Sequence, residues 1–133
     1  MRYLLDTHVF LWKVANSERI PAKVLAETEN PDNEIFISAV SLWEIAIKTR
    51  IGKMDLDGVS PDELIPLAGE MGISTLSLIP TEAITYVKLQ ESTHNDPFDR
   101  MLIWQAIQRD MTIVSRDPEF QRFKADGLKL LWK

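Results

Sequence analysis

The 133-residue chain has no cysteine and only two histidines, His8 and His94. Disulfides and thiolate metal sites are thereby excluded, and two imidazoles are too few for a typical structural zinc site. Any metal must be held by oxygen. Long apolar runs are also missing. The opening Met-Arg-Tyr-Leu-Leu reaches an acid at Asp6, too soon for a signal peptide, and no stretch approaches the roughly 18 apolar residues of a membrane span. The expectation is a cytoplasmic protein with no membrane contact. Basic residues are in deficit, 15 against 20 acidic, for a net charge of -5. That balance argues against a general nucleic-acid coat, because phosphate binding draws on Lys and Arg. The deficit is uneven: from Arg100 to Lys133 seven basic residues face four acidic ones, and the acid excess lies in the first hundred residues.

No linker, low-complexity block or internal repeat interrupts the chain, and 45% apolar with 26% charged residues is ordinary for a folded protein. The length suits a single domain over residues 1–133. Residues 2–5, "EIFIS" at 34–38, "MTIVS" at 111–115 and "LKLLW" at 128–132 read as compact, β-branched or aliphatic strands, and "ISTLSL" at 73–78 as a short additional one. Helical patterns fall at 18–29, 41–53, 60–72, 81–92 and 96–110. Within 60–72, Ser60-Pro61-Asp62-Glu63 marks a start, Pro66 predicts a kink or an early end, and Gly72 a stop. Strands alternating with helices predict an α/β fold with a parallel sheet covered on both faces.

In such a sheet, ligands bind outside the carboxyl ends of the strands. Four acids fall there: Asp6 after the first strand, Glu44 in the helix after the second, Asp99 at the start of the helix leading into "MTIVS", and Asp117 just after it. Structural readings compete. Ser41-x-x-Glu44 fits a capping box, Asp96-Pro97-Phe98-Asp99 an N-cap with proline at the first helical position and an acid two residues later, and Asp117-Pro118 another cap. Asp6 stands apart, because no helix pattern begins cleanly behind it and a buried carboxylate needs partners. Clustered carboxylates repel and raise one another's pKa unless a cation sits among them. The expected role of the four is therefore to hold a metal, and all-oxygen ligation points to Mg2+ or Mn2+. Hydrolysis of a phosphodiester is the reaction such a centre serves.

"YLLDTHVFLW", "ISAVSLWEIAIK", "HNDPFDRMLIWQAI" and "TIVSRDPEF", in that order, resemble the motifs of PIN-domain ribonucleases, and in particular the VapC toxins of bacterial toxin–antitoxin pairs. The resemblance runs over essentially the whole chain. It implies a three-layer PIN-like fold with a central parallel sheet of four to five strands flanked by helices. It also implies a metal-dependent endoribonuclease using Asp6, Glu44, Asp99 and Asp117 with Mg2+ or Mn2+. The implied partners are an RNA substrate, a cognate VapB-like antitoxin laying apolar and basic side chains across the acidic cleft, and a second copy in a homodimer. Asp96 reads as a cap that borders the metal site.

Neighbouring polar residues take supporting parts. Thr7 and Ser115 are placed to hydrogen-bond the acids, or to serve only as turn and strand-end residues. Arg100 and Arg116 flank the acids, either to position RNA phosphates or as ion-pair partners of the cluster. His8 and His94 read as surface or structural residues, since two-metal cleavage needs no histidine base. Trp12, Trp43, Trp104 and Trp132 have faces on which bases could stack, but their apolar neighbours assign them to core or interface packing. Two other functions fit part of the pattern. An aspartate-nucleophile phosphatase or phosphotransferase would phosphorylate Asp6, yet the haloacid-dehalogenase pattern wants a second aspartate where His8 stands. A non-catalytic binding module would use the acids as caps and as contacts for a basic peptide.

Overall fold

The computed structural model describes residues 1–132. Five strands, β1 (Arg2–Leu5), β2 (Glu34–Ser38), β3 (Ile73–Leu76), β4 (Thr112–Val114) and β5 (Lys129–Leu131), form one sheet in the order β3-β2-β1-β4-β5. Every pairing is parallel, with Tyr3 opposite Ile35 and Leu5 opposite Val114. Period-two alternation sends Tyr3, Leu5, Ile35, Ile37 and Val114 into one core and Leu4 and Ile113 into the other. Both faces are therefore apolar and both must be covered, giving helix, sheet and helix layers. The helices are α1 (Thr7–Ala15), α2 (Ala22–Glu29), α3 (Ala39–Arg50), α4 (Leu64–Glu70), α5 (Pro80–Thr85) and α6 (Pro97–Gln108). Val9, Phe10, Val24, Ile45 and Leu64 fill the first core, while Leu102, Ile103, Phe120 and Phe123 fill the second. No helix among the described residues is long and apolar enough to cross a membrane.

The chain grows outward from β1 to β2 and β3, then returns to the other side of β1 for β4 and β5. The strand order thus reverses between β1 and β4, which makes their carboxyl ends the switch point where a crevice opens. Asp6 follows β1 directly, and its backbone N–H donates to Val114 O at 3.0 Å. Ser115 follows β4 in the same way.

Departures from the sequence expectations have local causes. The helix α1 was not anticipated: Asp6 is its N-cap, in extended conformation, accepting from Val9 N. The absence of a helix behind Asp6 is therefore corrected, and Asp6 is a cap as well as a strand-end acid. The pattern at 18–29 splits into a 3-10 turn (Ser17–Arg19) and α2, because Pro21 disfavours helical geometry at Ile20. Pro66 does not end α4, which runs on to Glu70. A 3-10 turn at Pro61–Glu63 precedes that helix, so Pro66 is its third residue, where the missing N–H would have had no intrahelical partner. The pattern at 81–92 stops at Thr85 and tightens into a 3-10 turn over Tyr86–Lys88.

A buried polar clamp holds the second layer. Glu82 of α5 accepts from Arg109 Nε at 2.6 Å and from Gln105 Nε2 at 3.0 Å, while Gln105 Oε1 accepts from Ser38, the N-cap of α3, at 2.6 Å. Burial acts to raise the Glu82 pKa, but the bonds from Arg109 and Gln105 outweigh it and hold the carboxyl below its ordinary value. Its stabilising contribution is thus full above the unfolded-state pKa and is lost as pH falls through the depressed folded one. Glu82→Gln removes the charge and strands Arg109. A loss of about 2 kcal/mol is expected, discounted for the partly exposed guanidinium, and a urea denaturation midpoint at pH 7 measures it.

Candidate active site

Asp6, Glu44, Asp96, Asp99 and Asp117 line one small cavity together with Lys48, at the carboxyl edge of the sheet. Secondary structure explains how five acids arrive there. Asp6 caps α1, Asp96 caps α6 by accepting from Asp99 N, and Asp99 is the third residue of α6. Asp117 caps the 3-10 segment Pro118–Asp126 by accepting from Glu119 N. These positions place carboxylates against helix N-termini, where exposed N–H groups favour negative charge. Glu44 arrives differently. The N-cap of α3 is Ser38, not Ser41, so Glu44 is the sixth helical residue and the capping-box reading is corrected. It is 3% exposed, too buried for a helix-surface ornament.

The inner acids are tightly held. Asp6 Oδ1 accepts from Val9 N at 2.8 Å and Oδ2 accepts from Ser115 Oγ at 2.6 Å. Ser115 Oγ in turn accepts from Asp117 N at 3.1 Å, so one hydroxyl ties the first-strand acid to the fourth-strand loop. The Thr7 hydroxyl donates to Glu44 Oε1 at 2.7 Å and lies 2.9 Å from the Ser41 hydroxyl. Lys48, one turn after Glu44, meets Oε2 at 2.5 Å. On the outer side, His94 Nε2 lies 2.9 Å from Asp99 Oδ2, its ring edge-on to Phe120 and Phe123.

The electrostatics are those of a site short of positive charge. Burial pushes the Asp6 pKa up, with Asp117 adding to the rise and the bonds from Ser115 and Val9 opposing it. Burial likewise pushes Asp99 up to about 6, opposed by His94 and reinforced by Asp96 and Glu44. Lys48 is raised by its bond to Glu44. Lys48 is the single Lys or Arg lining the cavity, so the site as a whole retains a negative excess that a divalent cation would relieve. His8 also lines the cavity, but the five carboxylates dominate its donors and fit a hard cation such as Mg2+ or Mn2+. Among the described residues no three of these side chains form a ready-made metal cage.

The other residues singled out in the sequence divide. Thr7 and Ser115 hydrogen-bond Glu44 and Asp6 as described. Arg100 does not join the acids. Its Nη1 donates to the carbonyls of Glu91 at 2.7 Å and His94 at 3.0 Å, bracing the loop before α6. Arg116 forms no ion pair with the cluster among the described residues; it lies over the Trp12 ring in the groove beside it. Trp104 is buried, but Trp43 is 63% exposed and so is no core residue. Lys48 and the His94–Asp99 pairing went unread, and the sequence pattern presents Ser41 only as a cap, whereas its hydroxyl lies beside that of Thr7. The Glu44-x-x-x-Lys48 spacing was the available signal for the first; nothing in the sequence signals that His94 folds back on Asp99. Thr7→Val leaves Glu44 Oε1 with no hydroxyl in a buried setting. A destabilisation of about 1–3 kcal/mol is expected, read from thermal unfolding of the metal-free protein.

With the fold and this acidic edge in view, comparison with known proteins places the chain. The family model for the PIN domain matches residues 3–126, and the chain belongs to the PIN-domain family. Within it, the chain is 30% identical over 129 residues to Ribonuclease VapC22 of Mycobacterium tuberculosis, covering 97% of each protein. Solved structures share the fold. VapBC2 from Rickettsia felis, bound to a DNA fragment from its promoter, superposes with a TM-score of 0.71 at 19% identity over 100% of both chains. VapBC-1 from nontypeable Haemophilus influenzae gives 0.67 at 20% identity over 98% of this chain and 97% of that one.

Proposed function

We propose that this protein is a metal-dependent endoribonuclease acting as the toxin of a VapBC-type pair. The observation that carries the reading is the convergence of Asp6, Glu44, Asp99 and Asp117 on one carboxylate-rich cavity at the sheet's switch point. The relatedness to a named VapC ribonuclease over nearly the full chain supports it.

In this reading those four carboxylates hold Mg2+ or Mn2+, with Asp96 bordering the site. A divalent cation bound there would neutralise charge developing on the phosphoryl group and favour ionisation of the attacking water. The protein's own groups prepare the site. Val9 N–H and Ser115 fix the Asp6 carboxylate, and Thr7 fixes Glu44, so neither must reorganise when substrate arrives. His94 holds Asp99 Oδ2, leaving Oδ1 free of a protein partner among the described residues. Lys48 balances Glu44 and supplies the cavity's positive charge toward an incoming phosphate. Hydrolysis forms one bond from water oxygen to phosphorus and breaks one phosphorus–oxygen ester bond, the leaving oxygen taking up a proton.

The proposed macromolecular partners are RNA, a VapB-like antitoxin and a second copy of the chain. An acidic cleft suits an antitoxin segment carrying basic side chains. The exposed Trp43, edge-to-face with Phe98 at 5.7 Å, and exposed Ile51 suit a protein–protein contact. The test is incubation of antitoxin-free protein with total RNA and with purified transfer RNA in Mg2+, Mn2+ or EDTA. Cleavage with either metal and none in EDTA supports the reading; no cleavage of a wide RNA panel by folded protein overturns it.

A further inference from the structure

The acid cavity opens beside a second feature that the proposed metal chemistry does not use. A shallow groove of about 240 Å³ shares Asp6, His8 and Asp117 with the cavity and continues over Trp12, Arg116 and Pro118. Beyond it a further groove runs over Arg116, Pro118, Trp132, Arg19 and Pro21. The two grooves share Arg116 and Pro118, so one continuous track leads from the carboxylates to Trp132.

Its lining is unusual for this acidic chain. The Arg19 guanidinium lies 5.8 Å from the Trp12 ring centroid and that of Arg116 6.0 Å, while Trp132 packs 5.9 Å from Trp12 at a tilt of 49°. Arg19 and Arg116 are exposed, and neither forms an ion pair among the described residues. Four other cations are committed to carboxylates: Lys48 to Glu44, Arg109 to Glu82, Arg122 to Glu119 and Lys129 to Asp110. Two guanidinium groups without ion pairs, both held over the Trp12 ring and next to a cluster of carboxylates they do not pair with, form with Trp132 a surface of positive charge and flat faces. Single-stranded nucleic acid needs both, because phosphates take the charge and bases stack on aromatic or guanidinium planes. A duplex presents no free base faces to such a surface.

We propose that the Trp12–Arg19–Arg116–Trp132 track is a binding subsite for the single-stranded RNA segment adjoining the scissile phosphate. The proposal rests on the ribonuclease reading of the acid cavity and adds to it the path of the substrate and the side chains that hold it. Arg19 and Arg116 neutralise backbone phosphates, and the exposed parts of Trp12 and Trp132 supply stacking surface; the rest of both rings packs against the first core. The site would favour single strands with little sequence preference, since every base offers a π face.

The test pairs cleavage with binding, using Arg19→Ala/Arg116→Ala, whose side chains are exposed, and Trp132→Phe. Binding of a fluorescein-labelled 12-nucleotide single-stranded RNA is titrated by anisotropy in EDTA, with the matching duplex as a control. The double arginine variant is expected to weaken single-strand binding at least tenfold. It should flatten the log Kd against log salt slope by about 1.4, two contacts at about 0.7 each for a single strand. In cleavage it should raise KM about tenfold with kcat changed less than threefold, and Trp132→Phe should retain most of the binding. A double variant that binds and cleaves like the wild type overturns the subsite and leaves the ribonuclease reading standing. So does equal wild-type affinity for duplex, or a variant that keeps RNA affinity but loses antitoxin binding, which would assign the track to the protein partner. A wild type that cuts no RNA overturns both.

Discussion

Asp6→Asn should abolish RNA cleavage while making the metal-free protein at least as stable as the wild type. The activity loss is expected to be on the order of 10³-fold or more, about 4 kcal/mol of transition-state stabilisation. The two effects separate because Asp6 caps α1 and, in the proposed mechanism, also holds the metal. As a cap it needs one oxygen to accept from Val9 N–H, and an asparagine oxygen serves equally well. The Ser115 hydroxyl, which now donates to Oδ2, can rotate to accept from the amide that replaces it. What asparagine cannot supply is negative charge. Burial raises the Asp6 pKa, so its ionised form costs folding free energy at neutral pH, and removing the charge relieves that cost. Stability traded for a charged site is a common arrangement in enzymes. Cleavage of total RNA and a thermal melt in EDTA measure the two effects. A second melt in Mn2+ links them: ligand at 100 times its Kd stabilises the folded state by about 2.7 kcal/mol, and the variant should lose most of that gain. Retained cleavage by Asp6→Asn would return the acid to being a cap alone.

The strands were legible because parallel strands buried on both faces are short apolar runs, and residues 2–5 and 34–38 carry no competing signal. The acidic edge was legible for a related reason: in this topology whatever follows a strand lands at one edge, so Asp6 and Asp117 could be placed without knowing the strand order. Less legible was α1. "THVFLW" is apolar on nearly every side, and its helical period is masked because Val9 and Phe10 enter the core while Leu11, Trp12 and Val14 pack at its margin. With α1 unseen, Asp6 looked like an acid without a local partner, when its first partner is the N–H three residues on. The supporting bonds were the least legible. Ser115 to Asp6 spans 109 positions and Thr7 to Glu44 spans 37, and no local pattern encodes either. The tryptophans show the same limit. Each follows an aliphatic residue, Leu11, Leu42, Ile103 or Leu131, yet Trp104 is buried, Trp43 protrudes, and Trp12 and Trp132 meet each other across the fold.

Asp99 yields the other large effect, in which stability and activity respond to pH in opposite directions. Its carboxyl has an ordinary pKa of 3.8 and is pushed up to about 6 in the folded protein, chiefly by burial. Between those values the folded state retains a proton that the unfolded chain has released. Stability from this group is therefore full below about pH 4 and is lost as pH rises through 6, by up to about 3 kcal/mol for a shift of roughly two units. Glu82 contributes with the opposite sign, losing stability only at the acid end, so the Asp99 term is isolated as the difference between wild type and Asp99→Asn. Denaturant titrations in EDTA at intervals from pH 4 to 7 should show that difference growing with pH and levelling above 6. In the proposed mechanism activity needs the ionised carboxylate, so cleavage should fall about tenfold for each pH unit below 6. A bound divalent cation favours the ionised form, and saturating Mn2+ should shift both transitions to lower pH together. A difference curve that stays flat from pH 4 to 7 would mean that Asp99 ionises as an ordinary exposed acid. The carboxylates would then lack the mutual repulsion and burial on which the proposed metal role rests.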